Sequence, residues 1–460
     1  MGTKSLIAPV VEQGLRRQLG LASATAAVAG EAIAVGIFLT PAEMAKSLGS
    51  PFWLLLVWLI VAGMTLSGAL CYGELAGRFP RAGGTYVYLQ ETFGRRVAFL
   101  YGWMCLLVLD PGLTAALATG VAGYAAYIFH WSALAIKFAA IIIIFVLCLL
   151  NALSMRISAG FLRWITWLKL GLLGLLIVWA LAFHLGSWTN FVPFIAQRSG
   201  SLPLLPALGA AMVGAFFSFG GWWDVSKIAG EVRDTVRTLP RAMVLGVLVV
   251  TAVYILVSAV FLYLIPLQNV TSNDTFVAQV GEVLFGSIGG IIFAGIVIVC
   301  VLGGLTAFVI SAPRVYFAMA KDGLFLAPVA RVHPRFGTPV NAILIQAFVA
   351  SLLIFLGTFQ QILSYFIFIA VAFLGLTVAG LFVVRSRKQE ASDAILALGY
   401  PVTPMLFVSL VLLLLVLLLA HGAREPLLGT AVVLVGLPVY SLFQRRTADT
   451  QASLDKAKSA

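Results

Sequence analysis

Residues 30–36 are Gly-Glu-Ala-Ile-Ala-Val-Gly, and they interrupt the first long apolar run of this 460-residue chain. A second stretch, Phe-Gly-Gly-Trp-Trp-Asp at residues 219–224, interrupts the sixth such run. Glycine weakens a helix, and irregular backbone at membrane depth is tolerated only where it is buried in protein or lines a cavity. The two stretches therefore predict two broken helices beside an internal site.

The composition around these stretches is typical of a helical membrane protein. Hydrophobic residues make up 62% of the chain and charged residues only 10%, against about 25% charged residues in soluble domains. The mean hydropathy is +1.07. These values exclude a soluble enzyme, a secreted disulfide scaffold and a peripheral anchor, and the apolar runs lack the alternation of an outer-membrane barrel. We predict an all-α polytopic protein in a lipid bilayer.

The apolar runs predict about 12 membrane-spanning helices, since about 20 apolar residues cross a bilayer. Their expected bounds are 19–46, 51–77, 95–127, 133–153, 158–185, 204–228, 240–266, 286–320, 338–357, 360–384, 402–420 and 426–443. The first and the sixth helix, which are interrupted, hold the same place in two blocks of five. Matched interruptions of this kind indicate an inverted repeat with a binding site near the midplane.

This pattern divides the chain into four parts. The expected parts are a cytoplasmic N-terminal segment (1–18), a transporter core (19–384, with repeats at about 19–185 and 204–384), two additional helices (402–443) and a cytoplasmic tail (444–460).

The basic residues predict the orientation of the chain. The net charge is +12, and 23 of the 29 Lys and Arg lie in segments that would face one side of the membrane. Those segments are 4–17, 78–96, 156–163, 227–241, 321–335, 385–388 and 445–458. The opposite side has only Lys46, Arg198 and Arg424. By the positive-inside rule both termini are cytoplasmic, and the basic excess does not imply a nucleic-acid partner.

The cysteines and histidines form no motif for metal binding or catalysis. The four cysteines lie inside apolar runs, as expected for reduced, buried thiols, so no disulfide-linked subunit is expected. The four histidines lie at separate segment ends, and the sequence contains no P-loop. We therefore expect no metal, no cofactor and no enzyme activity.

Lys169 lies well inside the fifth apolar run. An ammonium at that depth must face the protein interior, find carbonyl or hydroxyl partners, or lose its proton. One interpretation is a long side chain that extends toward the cytoplasmic end of its helix. The other is a fixed cation or a titrating group, at a place where another transporter binds sodium.

Glu31 is a carboxylate in the middle of the first interruption. As a structural residue, it pairs with Lys169 or with another buried cation. As a functional residue, it binds a substrate amine, favours a cationic side chain or carries a proton. The sequence leaves these alternatives open.

Other charged positions have structural interpretations, and for Asp110 a functional interpretation is open as well. Asp110, in the third helix, either lines a cavity or is a satisfied acid at a proline kink. Arg314 is expected to be a helix-end anchor near the cytoplasm. The charges between residues 224 and 237 are expected to form a solvated loop.

Aromatic residues near the second interruption are candidates for closing over a substrate. They are Phe216, Phe219, Trp222, Trp223 and Tyr101. Most aromatic side chains in a membrane protein merely pack or sit at interfaces. Phe219 and Trp222 flank the second break, and they are the stronger functional candidates.

Five blocks of the sequence together resemble the amino acid–polyamine–organocation superfamily, most closely its L-type and related bacterial amino acid permeases. The segment Gly30–Phe38 is similar to the glycine-rich pattern of that superfamily's first helix. The other blocks are 72–88, 99–103, 217–242 and 314–323. The resemblance implies a leucine-transporter-type fold of five plus five inverted helices, with helices 1 and 6 broken, and it implies transport by alternating access.

The resemblance also implies a binding site at the two breaks. The α-carboxylate of a substrate would meet backbone amides of the first break, and its α-amine would meet carbonyls there and at the sixth helix. The expected substrate-binding residues are Gly30, Glu31, Ala32, Ile33, Ala34, Val35, Gly36, Phe216, Phe219, Gly220, Gly221 and Trp222. Lys169 aligns with a lysine that replaces sodium in several relatives, and the expected ion-coupling residues are Lys169, Glu31 and Ser311.

Two residues depart from the superfamily's pattern. Ala34 replaces its central glycine and Val35 replaces a small polar residue, and the added Cβ of Ala34 is expected to crowd the amides that hold a carboxylate. Glu31 beside that carboxylate is unfavourable unless one of them is protonated or a cation intervenes. A cationic amino acid, a polyamine or a proton on Glu31 would each relieve the conflict.

The sequence thus predicts a secondary active amino acid transporter of the bacterial inner membrane, sodium-independent and either proton-coupled or exchanging. A transporter of polyamines or other organic amines is the first alternative. An amino acid sensor that does not transport is the second, although the sequence has no sizeable cytoplasmic domain for signalling.

Overall fold

The computed structural model describes residues 15–34, 36–267, 273–356, 359–387, 395–421 and 424–444. Within these residues the protein is built mainly of α-helices, which are joined by turns and by three longer connections at 183–203, 219–234 and 322–339. The helices are α1 (Leu21–Ala32), α2 (Gly36–Leu48), α3 (Pro51–Arg78), α4 (Thr85–Phe93), α5 (Arg95–Met104), α6 (Asp110–Phe129), α7 (Ala133–Leu153), α8 (Met155–Ala182), α9 (Leu204–Ser218), α10 (Thr235–Leu264), α11 (Asn273–Phe285), α12 (Gly289–Ser311), α13 (Pro313–Lys321), α14 (Val340–Leu356), α15 (Phe359–Ser386), α16 (Val402–His421) and α17 (Arg424–Leu434).

The helices give the predicted number of membrane spans. In the described part of the chain, nine helical stretches are long and apolar enough to cross a membrane. The bent pair α1 and α2 forms a tenth span, and α9 and α14 are two shorter apolar helices. The prediction of an all-α polytopic protein with about 12 spans is therefore confirmed, and the first and sixth spans are the broken ones.

Several helix bounds differ from the sequence prediction. The sixth helix ends at Ser218, ten residues before its predicted end, because Gly221 has a φ of 98° that a helix does not allow. The third span contains a π-helical turn at Cys105–Leu109, just before Pro111, which has no N–H for the helix ladder. Helices α4 and α11 are additional to the twelve predicted runs.

Helix α1 lies at the centre of the helical bundle, where it packs against α8, α10 and α12. Small residues allow the close approach that drives helix association in membranes. Gly246 of α10 faces Val28 of α1, and a Cβ at Gly246 would lie 2.5 Å from the Cβ of Val28. This packing fixes the position of the first break relative to the seventh span.

We predict that Gly246→Ala destabilises the folded protein by about 1–3 kcal/mol, the usual range for overpacking a tight contact. The measurement is the thermal unfolding temperature in detergent. Gly63→Ala in α3 is the matched control, since a Cβ there meets no atom within 4 Å. An equal loss of stability in both variants would contradict the assigned packing.

Candidate functional site

The first span breaks between Ala32 and Gly36. The last helical hydrogen bond of α1 runs from Ile33 N to Ala29 O. Ala34 N then donates to Ala32 O at a distance of 2.9 Å. Helix α2 starts at Gly36, and it is bent by 49° from α1. The break therefore presents the carboxyl end of one half-helix and the amino end of the other at the same place.

Lys169 of α8 binds the first break. Its Nζ donates to the carbonyl oxygens of Gly30 (2.7 Å) and Ile33 (2.6 Å), and the side chain is fully buried. Gly303 of α12 leaves room for the ammonium, since a Cβ there would lie 3.3 Å from Nζ. The side chain thus points inward onto the break, and the interpretation that it extends to the cytoplasmic surface is wrong.

The second break follows Ser218, and a shared tyrosine joins it to the first. The hydroxyl of Tyr254 lies 2.7 Å from Ala32 O and 2.6 Å from Ser218 O, which are the last helical residues of α1 and α9. The hydroxyls of Thr40 and Ser218 are 2.6 Å apart. These contacts hold the two broken spans side by side.

A cavity of about 350 Å³ lies between the two breaks. Its described lining residues come from the first, second, third, sixth, eighth and tenth spans and from α4. They are Glu31, Ala32, Ala34, Gly36, Thr40, Tyr72, Thr85, Tyr101, Leu109, Leu113, Leu117, Phe216, Phe217, Ser218, Gly220, Gly221, Trp223, Asp224, Phe308, Ile367, Ala370, Val371 and Leu374. Most of these side chains are apolar, and the two charged ones are Glu31 and Asp224.

The structure brings seven of the expected substrate-binding residues to this cavity. They are Glu31, Ala32, Ala34, Gly36, Phe216, Gly220 and Gly221. A Cβ at Gly304 of α12 would lie 3.0 Å from the Cβ of Ala34. Because residue 304 is a glycine, α12 leaves space for the methyl group of Ala34. The departure from the superfamily's glycine at position 34 is therefore accommodated by packing.

Four of the other expected site residues stand elsewhere in the described structure. Gly30 and Ile33 contribute their carbonyls to Lys169 and do not line the cavity. Phe219 packs against Trp58 and Tyr254, and Trp222 packs against Tyr72 and Phe407. Val35 lies outside the described residues.

Ser311, expected to be an ion-coupling residue, is not among the contacts of Lys169. Its hydroxyl donates to Phe308 O over 3.2 Å. The helix residue beside the ammonium is Gly303, eight positions earlier, which is about 12 Å along an α-helix.

Asp224 and Lys227, directly after the second break, belong to a buried cluster, and their interpretation as part of a solvated loop is wrong. The later charges of that stretch, Arg233, Asp234 and Arg237, are exposed as predicted. Lys227 Nζ lies 2.9 Å from Asp224 Oδ1 and 3.1 Å from Asp110 Oδ1, and all three side chains are buried. Asp110 also accepts a hydrogen bond from Tyr316 at 3.3 Å. Asp110 is therefore an ion-paired acid behind the cavity wall.

Arg314 is also buried, so its interpretation as a cytoplasmic helix-end anchor is wrong. Its guanidinium donates to both carboxylate oxygens of Glu231 (2.9 and 3.1 Å) and to Asn151 Oδ1 (3.3 Å). The pair ties α13 to the segment after the second break.

Asp224 is a cavity residue that the sequence interpretation assigned to a loop, and two of the weaker aromatic candidates, Tyr101 and Trp223, also line the cavity. A signal for Asp224 was available, because Asp224 and Lys227 are three residues apart just after a break in a very apolar chain. Asp110 supplies a third charge inside a span. Charges inside a membrane protein pair with one another, so these three were candidates for a common cluster.

Comparison with known proteins agrees with this architecture. The amino acid permease family matches residues 19–438. The serine/threonine exchanger SteT of Bacillus subtilis (strain 168) is 30% identical over 95% of this chain and 99% of its own. The human large neutral amino acids transporter small subunit 2 is 28% identical, over 93% of this chain and 80% of its own. The human Asc-type amino acid transporter 1 is 26% identical, over 93% of this chain and 82% of its own.

These matches confirm a multi-pass membrane transporter rather than an enzyme, and they confirm the superfamily that the sequence blocks resemble. The chain belongs to the amino acid permease family.

Proposed function

We propose that this protein exchanges neutral amino acids across the bacterial inner membrane, without sodium, and that it binds them in the cavity between the two breaks. The observation that carries the proposal is Lys169, whose ammonium is held by the carbonyls of Gly30 and Ile33. Exposed carbonyls at a broken helix are the groups that bind Na⁺ in transporters of this architecture. A fixed ammonium fills that role here, so no sodium ion is needed.

The amino end of α2 supports a binding place for the substrate carboxylate. The first N–H groups of a helix have no intrahelical acceptor, and they attract anions. Gly36, the first residue of α2, lines the cavity. A Cβ at Gly36 would lie 2.8 Å from Ser218 Oγ, so glycine allows the close approach of the two broken spans.

The rest of the cavity supports an uncharged substrate side chain. The wall opposite the breaks is formed by the third, eighth and tenth spans, with side chains such as Leu113, Phe308 and Val371. The names of the relatives agree with this class, since they specify serine and threonine exchange and large neutral amino acid transport. The distribution of Lys and Arg supports a cytoplasmic location of both termini, and this orientation and the four-part division of the chain are part of our proposal.

The test uses purified protein in liposomes that are either empty or preloaded with unlabelled L-serine. Uptake of labelled L-serine, L-threonine, L-leucine and L-lysine is measured from sodium-free buffer. We expect preloading to stimulate uptake of at least one neutral amino acid above that of L-lysine. No stimulated uptake of any of the four would contradict the proposed function.

A further inference from the structure

The side chain of Glu31 reaches from the first break to the second and lies on the wall of the cavity. A Cβ at Gly221 would lie 2.5 Å from Glu31 Cγ and 3.1 Å from its Cδ, so the side chain lies directly against the backbone of the sixth span. Gly221 has a φ of 98°, which glycine adopts without strain. This contact holds the carboxyl group of Glu31 between the two breaks.

Glu31 offers the cavity an acceptor that the protein itself does not use. The residue is only 9% exposed, and its Oε1 has no hydrogen-bond donor in the described structure. The other acid on the cavity wall differs, because Lys227 Nζ lies 2.9 Å from Asp224 Oδ1. A buried acceptor without a donor is costly, and more so when it is charged. Oε1 of Glu31 is therefore a place for a donor from a bound molecule.

The backbone carbonyls of the first break are already engaged by donors of the protein. The carbonyls of Gly30 and Ile33 accept from the ammonium on α8, and neither residue lines the cavity. Ala32 does line it, but Ala32 O accepts from Ala34 N at 2.9 Å and lies 2.7 Å from the hydroxyl of Tyr254. A carbonyl oxygen has two lone pairs, and Ala32 O thus has a donor beside each of them.

The carbonyls of the second break have partners as well. Ser218 O lies 2.6 Å from the tyrosine hydroxyl that also contacts the first break. Phe217 O accepts from Gly220 N at 3.0 Å, and Gly221 O accepts from the backbone N–H of Asp224 at 2.9 Å. Hydrogen bonds to a charged acceptor are about twice as strong as those between neutral groups. For an ammonium in this cavity, the carboxylate of Glu31 is therefore a better acceptor than these partly used carbonyls.

We propose that the carboxylate of Glu31 binds the α-ammonium of the transported amino acid. The inference rests on the proposed function, because it places a neutral amino acid in this cavity with its α-carboxylate at the amino end of α2. Glu31 and Gly36, the first residue of α2, both line the cavity. Two negative groups in one cavity repel each other, and the α-ammonium between them supplies the opposite charge that each one needs.

An ammonium on the substrate side chain is the competing donor to Glu31. The wall opposite the breaks is apolar, with side chains such as Leu113, Phe308 and Val371. A side chain that ends in an ammonium would lose its hydration against that wall without gaining an acceptor. The α-ammonium stays near the breaks with the rest of the head group, so it is the donor that the cavity favours.

This arrangement makes Glu31 a residue that determines specificity. An α-hydroxy acid has the same shape as the amino acid, but it has a neutral hydroxyl in place of the ammonium and keeps the carboxylate. Its binding leaves two negative groups in the cavity without the cation between them. A site that binds a substrate N–H strongly rejects an analogue that lacks it.

The test measures exchange of labelled L-serine, L-leucine and L-lysine into proteoliposomes preloaded with L-serine. Unlabelled inhibitors are compared in pairs, L-leucine with L-leucic acid and L-serine with L-glyceric acid. In the wild type, we expect half-inhibition by the hydroxy acid to need a concentration more than about 100-fold higher. In Glu31→Gln, we expect the KM of the amino acid to rise more than about tenfold, because a hydrogen bond to a charged group is lost. Half-inhibition by the hydroxy acid should not weaken, so the ratio between the two compounds falls.

Glu282→Gln is the matched control, because it removes the same charge from an exposed position outside the cavity. It should keep the wild-type ratio. Equal inhibition by the amino acid and its hydroxy acid in the wild type would overturn the proposal, and so would an unchanged ratio in Glu31→Gln. Preferred exchange of L-lysine that is lost in Glu31→Gln would also overturn it, since the carboxylate would then bind a side-chain ammonium.

Two further measurements keep the test decisive. If Glu31→Gln is not monodisperse after purification, Glu31→Asp replaces it, since aspartate keeps the charge and withdraws it by one methylene. Amino acids should then weaken more than hydroxy acids, and an equal change in both would overturn the proposal. If no amino acid is exchanged, the proposed function fails, and the thermal unfolding temperature in detergent still tests the site. L-leucine or L-serine should raise it more than the matching hydroxy acid does, and equal effects would overturn the role of Glu31.

Discussion

Lys169→Ala is expected to reduce the rate of amino acid uptake strongly. In the described structure, the ammonium of Lys169 is the side-chain donor to the carbonyl oxygens of Gly30 and Ile33. The substitution removes this donor and leaves both buried carbonyls at the first break without it. Each buried, unsatisfied polar group costs about 1–3 kcal/mol. The carbonyls can regain partners only if the break rearranges, so we expect a loss of more than about tenfold in the uptake rate at equal protein density.

Lys137→Ala is the matched control for this experiment. Lys137 is also a lysine within a span, but it is only partly buried and its Nζ donates to Phe355 O at 3.1 Å, far along the chain from either break. We expect wild-type uptake from this variant. Full uptake by Lys169→Ala would show that the ammonium is dispensable, and it would remove the main support for sodium-independent transport by this site.

Lys227→Met is expected to destabilise the folded protein strongly. Lys227 is the ammonium between Asp110 and Asp224, and its replacement leaves two buried carboxylates without their cation. Removing one partner of a buried ion pair costs about 3–5 kcal/mol. The measurement is the thermal unfolding temperature of the purified protein, together with the yield of monodisperse protein after size-exclusion chromatography.

A second substitution separates charge from packing. If unpaired charge causes the loss, Lys227→Met combined with Asp110→Asn should recover part of the stability, because the double variant has one buried carboxylate fewer. If the shape of the lysine is what matters, Asp110→Asn should give no recovery. A Lys227→Met variant as stable as the wild type would contradict the ion-paired cluster.

The sequence was sufficient to predict the spans and the two breaks. Hydropathy and length place helices well in a bilayer, and the glycine-rich stretches at 30–36 and 219–224 mark the irregular backbone. Lys169 was identifiable for the same reason, since a charge deep in an apolar run must have a partner. The partner itself, two carbonyls of α1, depends on how α8 packs against α1 and could not be predicted from spacing.

Side-chain direction was the part that the sequence could not give. Phe219 and Trp222 flank the second break, yet they pack against neighbouring spans, while Trp223 faces the cavity. Once the helix is broken at Gly221, the helical period no longer fixes which side chain points inward. Asp224 and Lys227 begin a stretch of mixed charges that continues to Arg237, and such a stretch is typical of a solvated loop. Their burial depends on Asp110, more than one hundred residues away.

The most direct test of the account compares wild-type uptake of a labelled neutral amino acid in sodium chloride and in choline chloride. The protein is reconstituted in liposomes preloaded with the same unlabelled amino acid, and the initial rate is measured at equal ionic strength. If Lys169 takes the place of sodium at the first break, the two rates are equal. Uptake that appears only when sodium is present would contradict the account.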